Sequence, residues 1–169
     1  EQEIEQIKAQ AIANGTFMKA PNGKDTNLNE RQWLQVRSKA FTDWFGDWLN
    51  DPQNASKVVD ENGEPLVVYH GTKQDFTKFK SNSHFGGNIE QSLDRLGFYH
   101  DQKDYDITSI KDLENRAKEN GNIIMRGFLN IKNPLLLDRD LGSWEIQRLE
   151  DNGLTNEHDG VLYDNWYEG

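Results

Sequence analysis

The hydrophobic period of this chain changes once along its length, and that change limits the folds open to it. Up to residue 52 the apolar residues recur at helical spacing. Ile4, Ile7 and Ala11 fall at i, i+3 and i+7, and Asn14-Gly15 supplies a helix stop. Residues 19–27 are turn chemistry, Lys-Ala-Pro-Asn-Gly-Lys-Asp-Thr-Asn. Trp33, Leu34, Ala40, Phe41, Trp44, Phe45, Trp48 and Leu49 then form one aromatic-rich stripe. Asn29 followed by Gln32 has the spacing of a capping box in front of it. The spacing predicts a single Trp33–Trp48 helix whose heavy stripe is buried against a core. A docking face for a protein partner is the other reading of the same stripe.

Past Asp51-Pro52 the apolar residues come in short runs divided by turn residues. Leu66–Tyr69, Ile123–Ile131, Leu135–Leu137 and Val161–Tyr163 read as strands. Asn133-Pro134 divides the middle pair. A short amphipathic helix with Ile89 and Leu93 is expected after Gly86-Gly87, with further helices over Ile107–Asn120 and Ser143–Asn152. The expectation is an α+β chain in two parts. Residues 1–52 form a helical N-terminal segment and residues 53–169 an α+β domain.

Composition removes several function classes. The chain has no cysteine, so disulfides, thiolate zinc sites, iron–sulfur clusters and cysteine nucleophiles are excluded. A net charge of −10 argues against a protein that coats nucleic acid, because phosphate affinity needs clustered Lys and Arg. It leaves room for a small anionic ligand in one pocket. Hydrophobic residues are only 34%, but five Trp and eight Phe supply large pieces for a core. No apolar run approaches the ~20 residues of a membrane span, so no membrane association is expected. The chain opens Glu-Gln-Glu-Ile-Glu, with neither a signal-peptide pattern nor an initiator Met, as a processed protein or an excised piece would.

Most motif searches come back empty: no dinucleotide fingerprint, P-loop, His-Glu-x-x-His or Gly-x-Ser-x-Gly. His70, His84, His100 and His158 are scattered, and none sits at ligand spacing from a carboxylate, so no metal site is expected. The informative stretch is Leu66-Val-Val-Tyr-His-Gly-Thr72. It places an imidazole at a strand end, a glycine that lets a ligand approach the backbone, and then a hydroxyl. The same pattern also suits a half-buried histidine bonded to the backbone beside a tight turn.

Ser56–Thr72, followed by Phe76 and Phe79, resembles the opening of the phage- and mobile-element-type ADP-ribosyltransferases, domains that occur in large polyvalent proteins of bacteria. Leu129–Asp138 is similar to that family's later strand pair, and His158–Gly169 to its strand leading into the catalytic loop. Leu28-Asn-Glu-Arg-Gln-Trp33 and Phe41–Trp48 resemble a helical preface found upstream. The resemblance implies a split β-sandwich that binds NAD between two small sheets and cleaves its nicotinamide–ribose bond. ADP-ribose then passes to an acceptor, and no metal takes part. By resemblance His70 bonds the ribose next to nicotinamide, Gly71 presents its backbone to the carboxamide, and Thr72 supports the loop.

An aromatic ring should stack on the nicotinamide. Ser83-His84-Phe85-Gly86 matches one version of the family's second motif, and Leu96-Gly97-Phe98-Tyr99 another, so both Phe85 and Tyr99 are candidates. Relatives place a catalytic acid in the loop after Asp-Gly-Val-Leu-Tyr or on the next strand. This chain stops at Gly169, so that strand is expected to be missing, and Glu168 is the acid in the right neighbourhood. The expectation is a nucleotide pocket largely in place with weak or absent turnover.

Three functional classes follow. One is an enzyme, a mono-ADP-ribosyltransferase or NAD glycohydrolase of the His–aromatic–Glu type. Another is a degenerate binding or interaction module of a larger mobile-element protein. A nucleic-acid-acting toxin domain fits the charge least well. The resemblance implies a bacterial cytoplasm or delivery into a host cell.

Overall fold

In the computed structural model, residues 1–73, 76, 78–80, 83–89, 91, 96, 110–139 and 141–164 are described. Glu168 and Tyr99 lie outside them, as does most of the helix expected after Gly87. By contacts the chain forms two units. The first comprises residues 1–66, 128–134 and 156–160, and the second residues 67–127, 135–155 and 161–169. Among the described residues no helix is long and apolar enough to cross a membrane.

The first unit holds three helices: α1 (Gln2–Ala13), α2 (Glu30–Gln35) and α3 (Lys39–Phe45). α1 packs against α2, and its Glu3 carboxylate accepts the Lys39 N–H at the start of α3. The capping box is present. Asn29 accepts from the Gln32 N–H at 2.9 Å and the Gln32 side chain accepts from the Asn29 N–H at 3.0 Å.

The expected single helix over the aromatic stripe is instead two. The Val36 carbonyl, left without a helical partner, accepts the Trp48 indole N–H at 2.8 Å. Ser38 then caps α3. Gly46 turns the chain back at φ 102°, where a Cβ would stand 2.4 Å from the Ala55 Cα, so no other residue fits. This break re-aims the stripe. Trp33, Phe41, Phe45 and Trp48 are buried, whereas Trp44 is 48% exposed and Leu49 also faces solvent. Phe41 lies 5.0 Å from Phe45 and 5.1 Å from Phe128 between ring centres.

A buried ion pair locks this core. The Arg37 guanidinium stands 3.7 Å from the Trp33 ring centre and 3.0 Å from a Glu64 carboxylate oxygen. Glu64 is fully buried and also accepts from the Thr26 hydroxyl. Burial pushes the Arg37 guanidinium below its ordinary range, and the bond to Glu64 offsets part of that.

Two later segments rejoin this unit through bonds between side chains and backbone groups. Ser56 Oγ donates to the Leu129 carbonyl at 2.7 Å and accepts from the Ile131 N–H at 3.0 Å. The Asp159 carboxylate accepts the N–H groups of Lys132 and Asn133 at 2.7 and 2.9 Å.

The second unit mixes helices and strands, an α+β arrangement as expected. β1 (Val68–Thr72) pairs antiparallel with β2 (Ile123–Gly127), in the register His70 to Met125 and Gly71 to Ile124. α4 (Ile110–Glu119) packs on β2, with Tyr69, Ile89 and Ala117 at the centre of that core. β3 (Pro134–Leu137) and β4 (Gly160–Tyr163) form a separate two-stranded sheet, with α5 (Ile146–Asp151) between them in the chain.

Candidate functional site

β1 sets out the site by its alternation. Successive side chains of a strand point to opposite faces. Tyr69 enters the core with Ile89 and Ala117, so His70 and Thr72 project from the other face. The strand's edges are also distinguishable. Tyr69 exchanges both backbone bonds with Gly86, at 2.9 and 2.8 Å, on the edge away from β2. Backbone N–H and C=O groups alternate between edges residue by residue. Gly71, two positions on, therefore turns its N–H and C=O to the same edge as Tyr69, beyond the 84–86 segment.

His70 Nδ1 lies 2.6 Å from the His84 carbonyl oxygen. A carbonyl only accepts, so the shared proton belongs to Nδ1. In the neutral form such a ring carries its lone pair on Nε2, as an acceptor. His70 is part-buried among three rings. Phe79 and Phe76 stand edge-on at 5.2 and 5.8 Å, and Phe85 lies tilted at 5.3 Å. Phe79 lies 4.9 Å from both Phe76 and Phe85.

Of the residues singled out from sequence, the structure brings together His70, Gly71, Thr72, His84 and Phe85. Tyr99 and Glu168 fall outside the described residues. Phe76 and Phe79 entered from sequence only as part of the family resemblance, yet both touch the His70 ring. The sequence reading passed over Trp144 as a site residue. The His84 ring meets Trp144 edge-on at 5.4 Å, and Trp144 in turn lies 4.2 Å from Tyr163 of β4. Trp144 falls in the helix expected over Ser143–Asn152, which forms only over Ile146–Asp151, and helical spacing gave its ring no role at the site. Tyr163 was visible only as part of the Asp-Gly-Val-Leu-Tyr motif.

Among the described residues no group of three or more His, Asp or Glu side chains is placed to hold a metal ion. Among the described residues the site's polar groups are an imidazole, backbone amides and a hydroxyl, set among aromatic faces. Such a set suits a ligand with hydroxyls, a carboxamide and a flat ring.

No curated protein and no solved structure matches the chain. The model of one family, described as ADP-ribosyltransferase in polyvalent proteins, matches residues 60–165, a stretch that includes β1, β2, β3 and β4. Members of that family use NAD as substrate. The matched stretch starts ahead of the His70 strand and ends just past Tyr163, which spans most of the chain, and so the chain belongs to the ADP-ribosyltransferases of polyvalent proteins.

Proposed function

We propose that this protein is an NAD-dependent mono-ADP-ribosyltransferase of the His–aromatic–Glu type, acting on a macromolecular acceptor. The observation that carries the proposal is the pairing of two features at neighbouring positions of β1. His70 is held as the Nδ1–H tautomer by the His84 carbonyl, and Gly71 turns its backbone to the edge of β1 away from β2. The first offers Nε2 to a ribose hydroxyl. The second offers a donor and an acceptor to a carboxamide, which needs both.

The two small sheets are read as the halves of a split β-sandwich, within an ADP-ribosyltransferase-like domain over residues 53–169. Residues 1–52 are the helical segment in front of it. The reaction breaks the bond between the ribose anomeric carbon and the nicotinamide nitrogen. Its electron pair leaves with nicotinamide, which departs neutral, and positive charge develops on the ribose as in glycoside cleavage. Little proton transfer is needed, so the chain's task is to position the ribose and stabilise that charge. Phe85 serves as the stacking ring, because its ring already packs beside His70. Tyr99 is the alternative. Glu168 is the carboxylate assigned to the developing charge, and Thr72 supports the loop after His70.

A second reading has one observation in its favour. Three phenylalanine rings surround His70 at 5.2 to 5.8 Å, the packing a structural histidine would have. On that reading the domain binds without catalysis and serves a larger mobile-element protein as an interaction module. Incubation with NAD, followed by mass spectrometry for free nicotinamide, separates the two. Release that depends on His70 supports the transferase.

The acceptor is taken to be a macromolecule in a bacterial cytoplasm or in a host cell that receives the protein. The net charge of −10 favours a protein acceptor over nucleic acid. The exposed face of Trp44 is where a protein partner of the aromatic stripe would dock.

A further inference from the structure

We infer that Trp144 is a positioning residue for His70, acting through His84. The inference rests on the reading of His70 as the ribose contact, and it adds a residue to which neither the family match nor the motifs give a role.

A chain of contacts within the second unit leads from Tyr163 to His70. The tautomer and orientation of His70 depend on one acceptor, the backbone carbonyl of His84 at 2.6 Å. A carbonyl can hold a ring in one orientation only if the carbonyl itself is held. On its C-terminal side the segment is fixed by Gly86, through two backbone bonds to Tyr69. On its N-terminal side Ser83 bonds the Lys80 carbonyl through its N–H at 3.2 Å and its hydroxyl at 2.8 Å, so the freedom between these anchors is rotation of the His84 peptide about its own dihedrals. The His84 side chain restricts that rotation, because its ring stands edge-on to Trp144 at 5.4 Å and 71°. Trp144 is itself braced by Tyr163 at 4.2 Å, on a strand of the other sheet in this unit. Edge-to-face aromatic contacts have a definite preferred geometry, which makes them suited to fixing an angle as well as adding stability. Tyr163 of β4 thus supports Trp144, Trp144 the His84 ring, and the His84 carbonyl the Nδ1 proton of His70.

A free neutral imidazole prefers its proton on Nε2. If the His84 carbonyl swings away, His70 reverts toward that form, and Nε2 becomes a donor where the ligand needs an acceptor. Removing Trp144 should therefore change the protonation pattern of a ring that it does not touch. A role confined to packing would lower stability and leave that pattern alone.

The test uses the whole chain and reads the imidazole nitrogens of His70 by long-range proton–nitrogen spectra, assigned with His70→Gln. Wild type should show His70 as the Nδ1–H form. Trp144→Ala should move it toward Nε2–H and weaken NAD binding by about two- to tenfold, the worth of one such aromatic contact. Trp144→Phe, which keeps an edge-to-face partner, should retain the wild-type pattern. His84→Ala keeps the carbonyl but removes the ring, so it should reproduce the Trp144→Ala shift. It also provides the same comparison if Trp144→Ala does not fold. Combining the two should add little. An Nδ1–H signal unchanged in both variants would overturn the inference, and so would a wild-type His70 already in the Nε2–H form. If the tautomer responds as described but neither wild type nor any variant binds NAD, the positioning role stands and the NAD reading of the site falls.

Discussion

The Trp48 indole N–H bonds the Val36 carbonyl at 2.8 Å, and this single contact accounts for how the aromatic stripe is distributed. It satisfies the carbonyl left open where α2 ends, and it brings Trp48 inside while Trp44, on the outer side of α3, stays half exposed. Trp48→Ala should cost about 3–5 kcal/mol, through the cavity and the lost hydrogen bond. Trp44→Ala should cost about 1 kcal/mol or less. Thermal unfolding of both variants checks this; similar shifts would mean that the stripe is buried evenly after all.

Glu64 and Arg37 form the one ion pair among the described residues in which a partner is fully buried. Glu64→Ala leaves the guanidinium buried without its carboxylate and should cost about 3–5 kcal/mol. Replacing both, as Arg37→Met with Glu64→Leu, should recover much of that loss. Denaturant titration measures it, and a double variant no more stable than Glu64→Ala alone would show that other contacts of Arg37 carry the effect.

Asp25 lies on the surface beside Lys19, whose side-chain bond and charge hold its carboxyl below the usual carboxylate range. A lowered folded-state value stabilises above the unfolded pKa, about 3.9, and that contribution disappears as pH falls through the folded value. Wild type should therefore exceed Asp25→Asn slightly in stability at neutral pH, and the gap should close in strong acid and in high salt. A gap independent of pH and salt would place its origin elsewhere.

Glu168 is assigned the charge-stabilising role in turnover. Glu168→Gln should lower nicotinamide release on the order of a hundredfold, with NAD affinity nearly unchanged. Steady-state release and equilibrium binding, measured on the same preparation, check the split. Unaltered release would assign the role to another acid.

Local signals were the legible ones. The Asn29–Gln32 capping box depends on neighbours a few residues away and stands in the structure. The strands expected over Leu66–Tyr69 and Val161–Tyr163 form as Val68–Thr72 and Gly160–Tyr163, so the first is shifted along the chain and His70 lies at its middle rather than at its end. The break between α2 and α3 was not legible, because it depends on an indole twelve residues from the carbonyl it satisfies. The return of residues 128–134 to the first unit depends on Ser56, more than seventy residues earlier in the chain. At the site, His70 was readable as an imidazole on a strand followed by glycine, although the strand runs two residues past it. Its tautomer was not, since that follows from the His84 carbonyl, and a backbone group leaves no trace in a sequence pattern. The ring contacts of Phe76, Phe79 and Trp144 were hidden for a related reason: the partners of these rings lie on other segments, and local spacing does not report them.

The account stands on NAD binding at His70 of β1. Calorimetric titration of NAD into wild type and His70→Ala tests this most directly. Losing the ribose contact in a partly desolvated site should weaken binding by roughly 1–3 kcal/mol, while thermal unfolding shows the variant still folded. Equal NAD affinity in the two proteins, or no NAD binding by wild type, would contradict it.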